Sequence, residues 1–94
     1  MENAIIGQFI STLFASRTQA HVFHLQTPSF AAHKALNEYY DEIVEKIDGL
    51  VESVSGIYGN PKGYDVEDLE DFQSRDQVIG YFKEYLVSLD VITL

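Results

Sequence analysis

The sequence contains no cysteine, which removes disulfides, thiolate zinc sites, iron–sulfur clusters and thiol nucleophiles together. It contains no tryptophan and only two prolines. Basic residues are scarce: 6 stand against 15 acidic ones, for a formal charge of −9. A field of that sign repels nucleic acid and anionic membranes, because phosphate binding needs clustered lysine and arginine. It suits a metal cation or a basic partner. Long apolar runs are also missing, so no membrane span is expected. The opening MENAIIGQFISTLF lacks a basic n-region and a small-residue cleavage site. A signal peptide is therefore not expected, and a cytoplasmic protein is. There is no glycine-rich phosphate loop. Ser11, Ser16 and Ser29 lack base and acid partners in any nucleophilic arrangement, which argues against a hydrolase.

What is present fits one small helical domain over residues 1–94. Hydrophobic residues make up 46% of the chain, too much for disorder and enough for a packed core. Ile6, Phe9, Ile10, Leu13 and Phe14 recur at steps of three and four, which predicts a first helix from about Asn3 to Leu25. Ala20, Val22, Phe23 and Leu25 make its last turns apolar on several sides, the mark of an end buried against a further layer, often another subunit. Thr27-Pro28-Ser29 is the break. Thr27 is the expected N-cap and Pro28 the first residue of a second helix. So short a connection implies an antiparallel αα-hairpin.

The second helix is predicted from Pro28 to about Ser55. Leu36, Tyr40, Ile43, Ile47, Leu50 and Val54 step by 4, 3, 4, 3 and 4, a heptad seam. Gly49 is the one poor helix former inside it, and would let another helix approach closely. Gly56, Gly59, Asn60, Pro61 and Gly63 then form the strongest breaker in the chain. A short helix capped by Asp65 is predicted over Val66 to Phe72. The run Asp65–Asp71 has no EF-hand pattern and reads as a solvated acidic segment. Ser74-Arg75-Asp76-Gln77 reads as a capping box for a third helix ending near Leu89 or Asp90. The tyrosines read as half-buried bundle residues with wet hydroxyls. Two long helices and a shorter third leave apolar seams uncovered, so a bundle completed by a dimer or larger assembly is expected.

Four candidate metal ligands lie on the hairpin. His21 precedes the break by about a turn and His33 follows it by about a turn, so the hairpin brings them level. Asp48 and Glu52, four apart, project from one side of the second helix. His33 and Asp48 are fifteen residues apart on that helix, roughly 22 Å along its axis. No single metal, with bonds of about 2 Å, spans that gap within one chain. Either the two pairs are unrelated, or they meet across an antiparallel two-fold, which makes two identical sites. Mixed imidazole and carboxylate donors suit iron, manganese or zinc.

Gln19-Ala20-His21, His33 twelve residues on, Phe30 three before it, and Asp48-x-x-x-Glu52 together resemble the Dps-like ferritins over roughly residues 5–60. That resemblance implies a ferritin-like scaffold and a two-fold site in which His21 and His33 of one chain face Asp48 and Glu52 of another. It implies iron as the metal, with zinc or manganese able to replace it, and oxidation of Fe(II) by oxygen or peroxide, a ferroxidase. It also implies a homo-oligomer, commonly a dodecameric shell. The chain departs from the family pattern in four places. Val22 stands where a tryptophan is usual. Asn37 replaces a carboxylate that helps to hold a second iron. His24 has no counterpart, so His24 and Asn37 rank as secondary ligands. Finally, the sequence stops within or just after the third helix, where family chains continue to a fourth. The lysine-rich tails linked to DNA binding in that family are absent, so no nucleic-acid partner is expected. The competing reading is a non-enzymatic helical dimer, a scaffold or interaction protein with a vestigial metal site.

Overall fold

The computed structural model describes residues 3–93. Three helices and no strand occur among them: α1 (Asn3–Gln26), α2 (Phe30–Tyr58) and α3 (Arg75–Thr93). None of these helices is long and apolar enough to cross a membrane. The all-α reading and the long antiparallel hairpin with a shorter third helix are what the chain forms. Both α2 and α3 run a few residues past their expected ends.

Helix α1 is the centre of the molecule. Ile6, Ile10 and Leu13 pack with Ile47 of α2 and Tyr85 of α3 at one end. Ala20 and Phe23 pack with Leu36 of α2 at the other, joined by Val78 and Tyr81 of α3. These pairings make α2 antiparallel to α1. They also make α3 antiparallel to α1, and hence parallel to α2. Burial of a side chain such as Phe23, which is wholly enclosed, contributes about 1.5–3 kcal/mol. The apolar end of α1 is thus covered within the chain at Ala20 and Phe23, although Leu25 remains outside. The seam of α2 is also only partly used: Leu36 and Ile47 are buried while Leu50 is not.

The turn differs from expectation by two residues. Ser29, not Thr27, is the N-cap of α2, its hydroxyl accepting from the Ala32 amide at 3.2 Å. Thr27 instead accepts the Ser29 N–H through its own hydroxyl. Pro28 lies between the two helices rather than in the first turn, so the second helix starts at Phe30. Gly59 ends α2 with φ at 83°, donating its N–H to the Ser55 carbonyl at 3.1 Å, a conformation that glycine adopts without steric penalty. Around Gly49 there is open space, so no helix of the same chain makes the close approach its small size permits.

Residues 59–74 form neither helix nor strand, and the expected helix over 66–72 does not form. The chain crosses back along α1 as an extended strap, which is what allows α3 to lie parallel to α2. A helix over 66–72 would need its own backbone donors and acceptors, and α1 side chains take them instead. The Gln19 amide donates to the Glu70 carbonyl and accepts the Glu70 N–H, both at 2.8 Å. Ser11 accepts the Asp65 N–H. Gln26 accepts the Phe72 N–H and donates to Asp71. Asp65 does accept from the next amide, Val66, but no helix follows. Gly7 lets the strap lie flat: a Cβ there would collide with the Lys62 carbonyl oxygen and stand 2.7 Å from its carbon. The acidic side chains from Asp65 to Asp71 stay exposed, as the composition implies.

The capping box at the start of α3 forms as expected. Gln77 N–H donates to Ser74 Oγ, and Gln77 Oε1 accepts the Ser74 and Gln73 amides. The same glutamine also donates to Glu70 and to the Asp71 carbonyl. It therefore fastens the strap to the helix that follows.

Candidate metal centre

The histidines gather where α1 turns into α2, and their grouping starts from a missing proton. In a helix the His24 carbonyl would accept from the amide four residues on. That residue is Pro28, which has no N–H. His33 supplies the donor instead: its Nδ1 lies 2.9 Å from the His24 carbonyl oxygen. The reverse bond also forms, with His24 Nδ1 at 2.7 Å from the His33 carbonyl. A carbonyl only accepts, so both Nδ1 atoms carry hydrogen. The two rings stack with centroids 3.6 Å apart. His24 is buried.

The sequence pairs His21 with His33, whereas His24 is the histidine that meets His33. His21 stacks on Tyr40 at 4.2 Å and meets His24 edge-on at 5.9 Å. Phe30 lies 6.5 Å from His33 on its outer side. Asn37 is engaged on both sides, its Oδ1 accepting from Tyr40 at 2.6 Å and its Nδ2 donating to Asp41 at 3.1 Å. The pairing of His24 with His33 does not follow from the ligand spacing. The signal was present: a histidine four residues before a proline leaves a carbonyl open, and a second histidine just beyond the turn can close it.

Asp48 and Glu52 lie exposed on the lower half of α2. His33, Asn37, Asp41, Val44, Asp48 and Glu52 step by 4, 4, 3, 4 and 4, so they share one stripe of α2. Among the described residues no three histidine or carboxylate side chains stand close enough to hold a metal ion within one chain. Exposed apolar residues accompany this face near the turn: Leu25 is 70% and Phe30 78% exposed.

A second polar feature runs through the core. Ser16 Oγ lies 2.7 Å from both the Leu13 carbonyl and the Tyr39 hydroxyl, and Tyr39 lies 3.0 Å from the Tyr85 hydroxyl. Burial pushes the Tyr39 hydroxyl pKa well above its ordinary value. Burial, with the charges of Glu67 and Glu70, pushes Tyr81 up to about 12. The hydroxyls of Ser16, Tyr39 and Tyr85 satisfy one another in this part-buried chain.

The chain belongs to the family of unknown function DUF5856, whose sequence model matches residues 24–93. The match takes in His24, His33, Asp48 and Glu52, and begins after His21. No curated protein and no solved structure matches the chain.

Proposed function

We propose that this member of the family binds a divalent metal, iron foremost, at a site shared by two antiparallel copies. His21 and His33 of one copy would face Asp48 and Glu52 of the other. The observation that carries the reading is the state of His33. With Nδ1–H held by the His24 carbonyl, the lone pair of its imidazole is at Nε2, the orientation that a second-shell carbonyl imposes on a ligating histidine. The donor set, two imidazoles and two carboxylates, suits Fe(II), with zinc or manganese as substitutes. Fe(II) would be the substrate, oxidised to Fe(III) by oxygen or peroxide and retained by the carboxylates. Exposed Leu25 and Phe30 beside the histidines supply apolar surface for the second copy to cover.

The test is elemental analysis of purified protein, with His33→Ala and Asp48→Ala beside it. Metal bound in the parent and lost from both variants is the expected result. Full occupancy in both variants would overturn the shared site. Fe(II) oxidation followed by absorbance then separates a ferroxidase from a simple binding protein. One observation favours the rival reading of a non-enzymatic scaffold. Asn37, which stands where a second iron would need a carboxylate, is already tied to Tyr40 and Asp41. On that reading the purified chain carries no metal and its helices serve only to pair.

A further inference from the structure

Helix α3 carries more apolar surface than its own chain covers. Val78, Tyr81, Phe82, Tyr85 and Leu89 face the core. Ile79 and Leu86, seven apart and so on one side two turns apart, remain 41% and 59% exposed. Ile79 borders the groove between α2 and α3, and the seven-residue step carries Leu86 along the same side; the helices touch through Tyr39 against Phe82 and Tyr85. At its upper end Ile79, Val78, Leu36, Ala32 and Phe72 line a hollow of about 590 Å³. Lower down, Leu50 continues the apolar edge of α2 two heptads after Leu36, and is 36% exposed.

Because α2 and α3 are parallel and both oppose α1, the three helices occupy three corners of a four-helix bundle. The open corner takes a helix that runs antiparallel to α2 and α3 and carries an apolar stripe. The chain itself offers such a helix. A two-fold axis perpendicular to the bundle, near Lys83, reverses α3 and sets Ile79 of one copy against Leu86 of the other. Groove and ridge are then the same surface, as an isologous contact requires. The area agrees. The chain exposes 6434 Å², whereas a compact monomer of this mass exposes roughly 5,500 Å². The excess matches the ~800 Å² that each partner gives to a standard interface.

We propose that a second copy of this chain docks antiparallel in the α2–α3 groove, with α3 as the fourth helix. This contact lies apart from the stripe of Asp48 and Glu52, so it does not depend on the metal reading. If both contacts exist, the assembly has at least four chains.

Light scattering on the purified protein, with Leu86→Asp and Phe30→Asp variants, is the first measurement. Leu86→Asp halves the particle mass, keeps the helical circular dichroism because Leu86 is exposed, and leaves any bound metal per chain unchanged. Phe30→Asp disturbs the other face and removes the metal. If the metal reading fails and this one holds, the parent is a dimer that Leu86→Asp makes monomeric. Unchanged mass in Leu86→Asp overturns the proposal. The second measurement uses the absence of cysteine. An Ile79→Cys, Leu86→Cys double variant, oxidised gently, gives a covalent dimer. Its two thiols are about 10 Å apart along one helix and cannot bridge within a chain. Val87→Cys, roughly 100° around the helix, does not cross-link. A double variant that stays monomeric on a denaturing gel also overturns the docking.

Discussion

On its α2 side, α1 is closed by side chains meeting side chains. On its strap side it is closed by side chains meeting a backbone. The first contact joins Ile6, Ile10, Leu13, Ala20 and Phe23 to Leu36 and Ile47. It depends on apolar volume and tolerates shape-conserving exchange. The second depends on Gly7, Ser11, Gln19 and Gln26, and on the backbone groups of Lys62, Asp65, Glu70 and Phe72. Its strength lies in satisfied hydrogen bonds, and a change that keeps volume but loses a donor is harmful there. One helix therefore carries two kinds of specificity on opposite faces.

The largest test of this contrast is Phe23→Ala. Phe23 is fully buried, and the change is expected to destabilise the chain by about 3–5 kcal/mol in urea unfolding, the range for emptying an aromatic core site. A loss under ~1 kcal/mol would mean that this end of the core is loosely packed. Gly7→Ala tests the other side through its sign. In an exposed helix interior the exchange stabilises by up to ~1 kcal/mol. Here the new methyl meets the Lys62 carbonyl, and a loss of about 1–3 kcal/mol is expected from overpacking against rigid backbone. Gly49→Ala, in open space, is the control and should stabilise. If both alanines stabilise, the strap does not lie on Gly7.

Gln19→Leu keeps most of the volume and removes both bonds to Glu70. A loss of about 1–3 kcal/mol is expected, because the Glu70 amide and carbonyl lose their partners. Proteolysis should also cut first between residues 59 and 74 in this variant, and an unchanged cleavage pattern would show that the glutamine does not hold the strap. The smallest effect is at Tyr39→Phe, about 1 kcal/mol at pH 9. There the sharper readout is alkaline stability. Tyr39 and Tyr81 have folded pKa values raised above 10.0, chiefly by burial. Below pH 10 both are neutral in folded and unfolded chains, and their contribution is complete. As pH rises from 10 toward 12, the unfolded chain releases protons first and stability falls. Tyr39→Phe should make that fall shallower, as read by urea titrations at pH 9 and 11. Parallel slopes would remove Tyr39 from the alkaline transition.

Legibility follows the same division. The α1–α2 contact was readable because an apolar seam repeats at the helical period, and Leu36 and Ile47 fall where that repeat puts them. The capping box at Ser74 and Gln77 was readable because its partners are three residues apart. The strap was not readable. DVEDLED has a helical look, and what overrides it is the set of glutamines and the serine some fifty residues earlier. Likewise the histidine spacing pointed to the hairpin end, but not to which pair would meet. His24 takes His33 because Pro28 leaves the His24 carbonyl without its amide. Asp48 and Glu52 remain far down α2, as helix rise requires.

Three helices, the antiparallel hairpin and the spacing that keeps His21 and His33 apart from Asp48 and Glu52 all follow from the order of residues alone. Periodicity, capping and rise per residue are local properties, and they act before any distant contact forms. That residues 59–74 lie extended and that α3 runs parallel to α2 emerges only in the folded chain. Those outcomes depend on which buried backbone groups find partners, and the partners lie far away in sequence.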